Sequence, residues 1–245
     1  ALSSTISYIN PGLRSKLENK YWNFKGGTQT LSIGDLQAQF DATTDRGGNT
    51  VRWMYDAEKR FLTDIMNDLN EDDVFFDVGA NLGIFSCFAT SAITQGHIVA
   101  FEPYPPNIRQ LKRNLSKNAD GSNYNVLDVA LSDSHGSINF TSPDDDPGNQ
   151  TGNISPTGEY IEVEAITGDE LVDGGSVPSP TVVKIDVEGA EPLVIDGLED
   201  SLNNSSCRLL YCEIHLPKNG GRPSVEDYGE SQESMLRKIS ELGFD

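Results

Sequence analysis

The stretch Val74-Phe75-Phe76-Asp77-Val78-Gly79-Ala80-Asn81-Leu82-Gly83-Ile84-Phe85-Ser86 constrains this chain more than any other. A short apolar run follows the acidic triplet Glu71-Asp72-Asp73, glycines break it at 79 and 83, and an apolar-periodic segment continues to about Ile93. That pattern predicts a buried strand, a tight turn and a helix. Glycines permit backbone angles and close approaches that a Cβ would block, and the N–H groups opening the helix are expected to form a partly positive cradle. Such a turn at the carboxyl end of a strand marks the crevice where open α/β sheets bind ligands.

The spacing narrows the choice of ligand. The stretch reads Asp-x-Gly-x-x-x-Gly, lacking the middle glycine of the dinucleotide fingerprint and placing Asp77 before the first glycine. A carboxylate there repels a pyrophosphate and suits an ammonium group. Ile98-Val99-Ala100-Phe101-Glu102 reads as a second strand ending in an acid, and an acid at that point can accept both hydroxyls of a ribose. An amino acid at one end and an adenosine ribose at the other describe S-adenosylmethionine.

Four motifs then occur in order: Phe76-Asp77-Val78-Gly79-Ala80-Asn81-Leu82-Gly83, Phe101-Glu102-Pro103, Ala130-Leu131-Ser132-Asp133 and Val183-Lys184-Ile185-Asp186-Val187-Glu188-Gly189-Ala190-Glu191. Together they resemble the FkbM family of S-adenosylmethionine-dependent methyltransferases, from about Glu58 to Gly243. The resemblance implies an α/β, Rossmann-like class I methyltransferase fold, a mostly parallel sheet with helices on both faces. It assigns cofactor binding to Asp77, Gly79, Ala80, Asn81, Gly83, Glu102 and Pro103, with Asp128 and Ala130 flanking the adenine. It also matches Glu58 and Asn114 to family positions, although a helix-start acid and a surface asparagine explain them equally well. The family usually continues into further strands beyond Phe244, so the sheet edge is expected to be shortened here or the chain trimmed.

With 245 residues the chain fits one compact unit, read as an N-terminal extension over residues 1–55 and a methyltransferase domain over 56–245. The extension carries a predicted β-hairpin, Thr30 to Ile33 and Leu36 to Phe40 about Gly34-Asp35. Net charge is −20, from 38 acids against 18 bases spread along the chain. Such a surface repels phosphate backbones and anionic lipid, which argues against nucleic-acid and membrane partners. It resembles proteins of salt-loving organisms, where salt screens self-repulsion. Cys87, Cys207 and Cys212 read as buried free thiols of a reducing compartment. No basic leader with an apolar core and no run of about 18 apolar residues occurs, so a soluble, cytoplasmic protein is expected.

Further along, helical spacing of Phe61, Leu62, Ile65, Met66 and Leu69 predicts a helix from Asp56 to Leu69. Asn107 to Ser116 is read as a helix, Asn125 to Leu131 as a third strand, and residues 141–158 as a long loop, a candidate substrate lid. Asp144-Asp145-Asp146 within it reads as a solvated turn. Thr181 to Asp186 is a fourth strand, apolar apart from Lys184, and Val187 to Ala190 turn into a helix reaching about Leu202. Arg208 to His215 is a fifth strand, and Glu226 to Leu242 a last helix.

Methyl transfer to a hydroxyl needs alignment and a proton acceptor. Asp186, Glu188, Glu213 and His215 lie at the ends of strands four and five, beside the expected crevice. The catalytic set is read as His215, Asp186 and Glu188, with His215 the natural base for its near-neutral intrinsic pKa. Asp186 and Glu188 could instead hold a divalent cation, although no metal site is predicted. The acceptor implied by the resemblance is a hydroxyl of a sugar, glycolipid or polyketide-like small molecule. A dinucleotide-dependent oxidoreductase using Glu102 on the ribose, and a cofactor-binding partner protein without catalysis, are the competing readings.

Overall fold

The computed structural model describes residues 27–43, 47–119, 123–141, 153–154, 161–217 and 223–244. The elements follow in the order β1 (Thr28–Ile33), β2 (Leu36–Asp41), α1 (Gly47–Asp68), β3 (Val74–Val78), α2 (Ile84–Ala92), β4 (His97–Phe101) and α3 (Pro105–Leu115). Next come β5 (Tyr124–Leu127), β6 (Ala130–Leu131), β7 (Gly136–Thr141), β8 (Asn153–Ile154), β9 (Ile161–Ile166), α4 (Gly168–Asp173) and β10 (Val182–Ile185). The chain ends with α5 (Glu191–Asp196), α6 (Glu199–Asn203), β11 (Leu209–Cys212), a 3₁₀ turn (Val225–Tyr228) and α7 (Gln232–Glu241).

Five strands form a parallel sheet in the order β11-β10-β3-β4-β5. The order reverses beside β3, so the crevice opens above the carboxyl ends of β3, β4 and β10. This is the Rossmann-like class I methyltransferase architecture that the motifs imply. Period-two alternation sends Phe75, Ile98, Ala100 and Val182 to one face, under α1, α2 and the β1–β2 hairpin. Phe76, Val99, Phe101, Val183 and Ile185 go to the other, under α5, α6 and α7. Glycine is required at the first turn: Gly79 has φ 74°, and a Cβ there would lie 1.9 Å from the Asp186 carbonyl oxygen. The opposite ends of β3 and β10 are clamped by Asp73, which accepts from Thr181 Oγ1 at 2.6 Å and from Arg208 Nε at 3.1 Å.

Several boundaries differ from the sequence reading. The hairpin forms as expected, with Ile33 opposite Leu36. Helix α1 starts at Gly47 rather than Asp56, so it crosses the boundary drawn at residue 55. The third strand breaks at Asp128, and Ala130-Leu131 joins a second sheet, β6-β9-β7-β8, instead of the main one. Gly197 interrupts the helix expected up to Leu202, since the 196–198 turn packs against Ser132 so closely that a Cβ at Gly197 would sit 1.9 Å from its carbonyl oxygen. The last helix is preceded by a separate 3₁₀ turn, because Ser231 caps a fresh start by accepting from Ser234 N. Asp144 to Asp146, and most of the 141–158 loop, lie outside the described residues. Among the described residues no helix is long and apolar enough to cross a membrane. Cys87 and Cys207 are buried and Cys212 half-buried, all as free thiols.

Asn114 is no surface residue. It is fully buried and accepts from Asp41 N at 2.8 Å while donating to Leu82 O at 2.8 Å, which pins the hairpin and the glycine turn to α3. Asn114→Ala should leave both backbone groups buried without a partner and cost about 3 kcal/mol. Urea denaturation at neutral pH measures that loss.

Candidate active site

The cleft at the carboxyl ends of β3, β4 and β10 is lined by Gly79, Ala80, Asn81, Glu102, Pro103, Asn107, Ala130, Lys184, Asp186 and Glu188. Met54 of α1, Phe85 of α2, and Leu131 and Ile138 of the second sheet add apolar surface, and Glu58 of α1 adds a further carboxyl group. Of the expected cofactor residues, Gly79, Ala80, Asn81, Glu102, Pro103 and Ala130 therefore meet in one place. Asp77, Gly83 and Asp128 are not on its wall. Asp128 binds Lys112 Nζ at 2.8 Å on the surface, and the backbone around Val129 and Ala130 lines the cleft in its stead.

Asp77 is fully buried behind that wall. Its Oδ2 accepts from Ser86 N at 3.1 Å and from Ser86 Oγ at 2.5 Å, so the carboxylate caps α2 where the helix dipole favours negative charge. Its Oδ1 lies 3.2 Å from Lys184 Nζ. The sequence reading gave Asp77 a ligand ammonium as counter-ion; the structure supplies Lys184 from the neighbouring strand, directly opposite in register. In the glycine turn Gly79 N and Ala80 N donate to Phe101 O and Asn81 N donates to Glu102 Oε2, while of the N–H groups opening α2, Ser86 N is taken by Asp77.

Lys184, the charged residue of the otherwise apolar β10, is the hub. It is 1% exposed, donates to Gly79 O at 3.0 Å, reaches Asp186 Oδ2 at 3.6 Å and lies 4.9 Å from the Phe85 ring centroid. Burial disfavours its charge, but Asp77, Asp186 and Glu58 outweigh that and raise its pKa, so it stays an ammonium.

Glu102 sits at the end of β4, 4% exposed, with Oε2 and Oε1 accepting from Asn81 N and Tyr104 N, both at 2.8 Å. Burial pushes its carboxyl up to about 7, against the pull of these bonds, of Asn107 and of Lys184. Glu58 is mid-helix in α1, not at a helix start. Burial raises its pKa, and so do the charges of Glu213 and Asp186, against Lys184 and His215.

His215 follows β11 and does not line the cleft. Its Nδ1 bonds Glu191 Oε1 at 2.7 Å, while Nε2 faces Glu188 at 3.6 Å, Glu213 at 3.8 Å and Asp186 at 3.9 Å. Burial works to lower its pKa, but the bond to Glu191 and the surrounding carboxylates raise it to about 9. The ring thus carries both protons at neutral pH, which departs from the near-neutral base read from sequence. Glu191, also missed, is fully buried and bonds both His215 and Gly189 N. Glu188 takes φ 54°, a costly angle for a non-glycine residue, and that turns its side chain toward the cleft.

Two predictions follow from this electrostatic arrangement. Lys184→Met strands Asp77 as a buried, unpaired charge and should cost about 3–5 kcal/mol, with partial recovery in Lys184→Met/Asp77→Asn measured by denaturant titration. Glu102 is an acid whose pKa rises on folding from 4.5 to about 7, so the folded state holds its proton more tightly. The stability it contributes is complete below about pH 4.5 and lost as pH rises through about 7, roughly 3 kcal/mol in all. Glu102→Gln should flatten that slope between pH 5 and 8.5, whatever constant offset the substitution adds; an unchanged slope would refute the assignment.

The FkbM methyltransferase domain model matches residues 77–245. The hexuronic acid methyltransferase AglP of Haloferax volcanii is 38% identical over 151 residues, covering 62% of this chain and 59% of that protein. The chain thus spans about 59% of the length of that relative. The methyltransferase sdnD of Sordaria araneosa is 31% identical over 195 residues, covering 66% of this chain and 73% of its own. A crystal structure of methyltransferase FkbM from Methylobacillus flagellatus superposes with a TM-score of 0.43 at 16% identity, over 58% of this chain and 33% of that one. With the domain match running from the buried aspartate of the glycine turn to the last residue, the chain belongs to the FkbM methyltransferase family.

Proposed function

We propose that this protein is an S-adenosylmethionine-dependent O-methyltransferase acting on a hydroxyl of a sugar, glycolipid or polyketide-like small molecule. One observation carries the cofactor assignment: a buried carboxylate, Glu102, lies on the cleft wall beside the Cβ-free Gly79 and the Asn81 backbone. Its oxygens keep acceptor capacity for ribose hydroxyls beyond their backbone donors. Pro103, Val129, Ala130 and Ile138 offer an apolar slot for a planar base. When bound, the cofactor supplies an electrophilic methyl group. The amino-acid end would lie toward Gly79 and Lys184, whose ammonium suits a carboxylate, while Asp77 acts from behind by holding Lys184.

The chain's own task is to align the acceptor and remove its proton. Alignment in a water-poor site lowers a barrier by about 7–11 kcal/mol, and a positioned base adds about 10²–10⁴-fold. Asp186 and Glu188 line the cleft, which supports either of them as the acceptor of that proton. His215 is set back from it, so its role is to position those carboxylates. The relative named for hexuronic acid methylation supports a sugar hydroxyl as the acceptor.

Calorimetric titration with S-adenosylhomocysteine and with NAD tests the cofactor. The homocysteine compound should bind and NAD should not, and Glu102→Ala should weaken binding at least tenfold. Binding of NAD alone would favour the oxidoreductase. For the base, Asp186→Asn and Glu188→Gln should each be assayed with methyl-labelled cofactor on acidic and neutral sugars. A rate loss of about 10²-fold or more in one of them is expected; full rates in both would remove the assignment.

A further inference from the structure

Behind the acceptor side of the cleft, three potential ligand atoms converge from two adjacent strand ends. Asp186 follows β10, Glu213 and His215 follow β11, and one donor atom from each lies within 4.8 Å of the others. Donors that share a first-row cation at about 2.1 Å stand roughly 3.0–4.2 Å apart, and Nε2 of His215 is 3.8 Å from Glu213 and 3.9 Å from Asp186. Glu188, at 3.6 Å from the same nitrogen, stands at the edge of the group.

The histidine distinguishes this group from a patch of surface acids. Its side chain is 10% exposed, and its Nδ1 is fixed by Glu191, itself fully buried. Nε2 is thereby aimed into the carboxylates, yet none of these ion pairs comes within hydrogen-bond distance of it. A carboxylate holding one ring nitrogen so that the other faces a cluster of oxygen donors is the usual outer-shell arrangement of a metal-binding histidine. From α1 Glu58 faces the group, from β10 Lys184, from the turn before α5 Glu188, and from the first residue of α5 Glu191.

We propose that Asp186, Glu213 and His215 form a binding site for a first-row divalent cation, which takes the place of the Nε2 proton of His215 and releases it to solvent, with Mn²⁺ or Zn²⁺ favoured over Mg²⁺ by the imidazole nitrogen. Glu191 is the positioning residue that orients the ring. The cation site stands on geometry alone. Its use, to seat the acceptor hydroxyl and lower the pKa of that group before Glu188 takes the proton, rests on the methyl-transfer reading above.

Mn²⁺ titration of the full chain, followed by electron paramagnetic resonance in about 1 M KCl to screen diffuse attraction to the acidic surface, tests the site. One saturable ion per chain is expected. Glu213→Gln at the exposed rim and His215→Ala in the centre should each weaken it at least tenfold, and Glu191→Gln about 10–100-fold through the ring. Circular dichroism and the urea midpoint of each variant report an intact fold, and S-adenosylhomocysteine binding is measured on the same samples. The proposal is overturned if no saturable Mn²⁺ binding appears, or if the folded Glu213→Gln variant binds Mn²⁺ as tightly as the parent. Saturable, variant-sensitive Mn²⁺ binding in a protein that ignores S-adenosylhomocysteine would uphold the site and remove only the methyl-transfer reading.

Discussion

A single ammonium, Lys184 Nζ, buried between Asp77, the Gly79 carbonyl and Asp186, is the constraint on which the site depends. Removing a charge from water costs several kcal/mol, and the arrangement holds only because opposite charge and a carbonyl dipole surround it. The parallel register that sets Lys184 opposite Asp77 makes this possible, since both side chains then emerge on the face covered by α1 and α2. The lysine consequently ties the glycine turn after β3 to Asp186 at the end of the neighbouring β10. Neither can shift without exposing a buried charge.

This organisation was only partly visible in the sequence. The motifs around Asp77, Glu102 and Asp186 mark strand ends, because an apolar run that stops at an acid and a glycine has few other ways to fold. They do not report which carboxylate faces a ligand and which faces a neighbouring strand. Asp77 and Glu102 look alike in sequence; one caps a helix and neutralises a lysine, and the other lines the cleft. The telling signal was Lys184 itself. A lysine inside a run otherwise fit for burial on both faces demands a buried acid opposite, and strand pairing left Asp77 as the natural partner. Glu191 gave no such signal, because its bond to His215 joins elements whose packing no local pattern encodes. Asn114 was ambiguous for the same reason: its partners, Asp41 and Leu82, are distant in the chain.

The acidic composition also has two distinct meanings. Most acids are surface charges that affect partners and solubility rather than fold. Those at the ends of β10 and β11 are different: Asp186 and Glu213 add to burial in raising the pKa of Glu58 on α1, and the carboxylates around the ring of His215 hold it charged. A net charge read from the whole chain cannot separate the two populations.

The second sheet shows how a weak sequence signal can still shape a site. Strand β6 has only two residues and reads as the tail of β5, but Ala130 pairs with Ala165 and Leu131 with Ile166 of β9. That pairing carries the chain off the main sheet at Asp128, turns the Asp128 side chain out to Lys112, and leaves Val129, Ala130 and Leu131 facing the cleft. Leu131 and Ile138 then add apolar surface to the cleft that Glu102 also lines. A wall built from a neighbouring sheet, rather than from a loop, is held by a ladder of backbone hydrogen bonds along β7 and β9. The apolar slot proposed for the base therefore gains its rigidity from β7 and β9, which lie outside all four motifs.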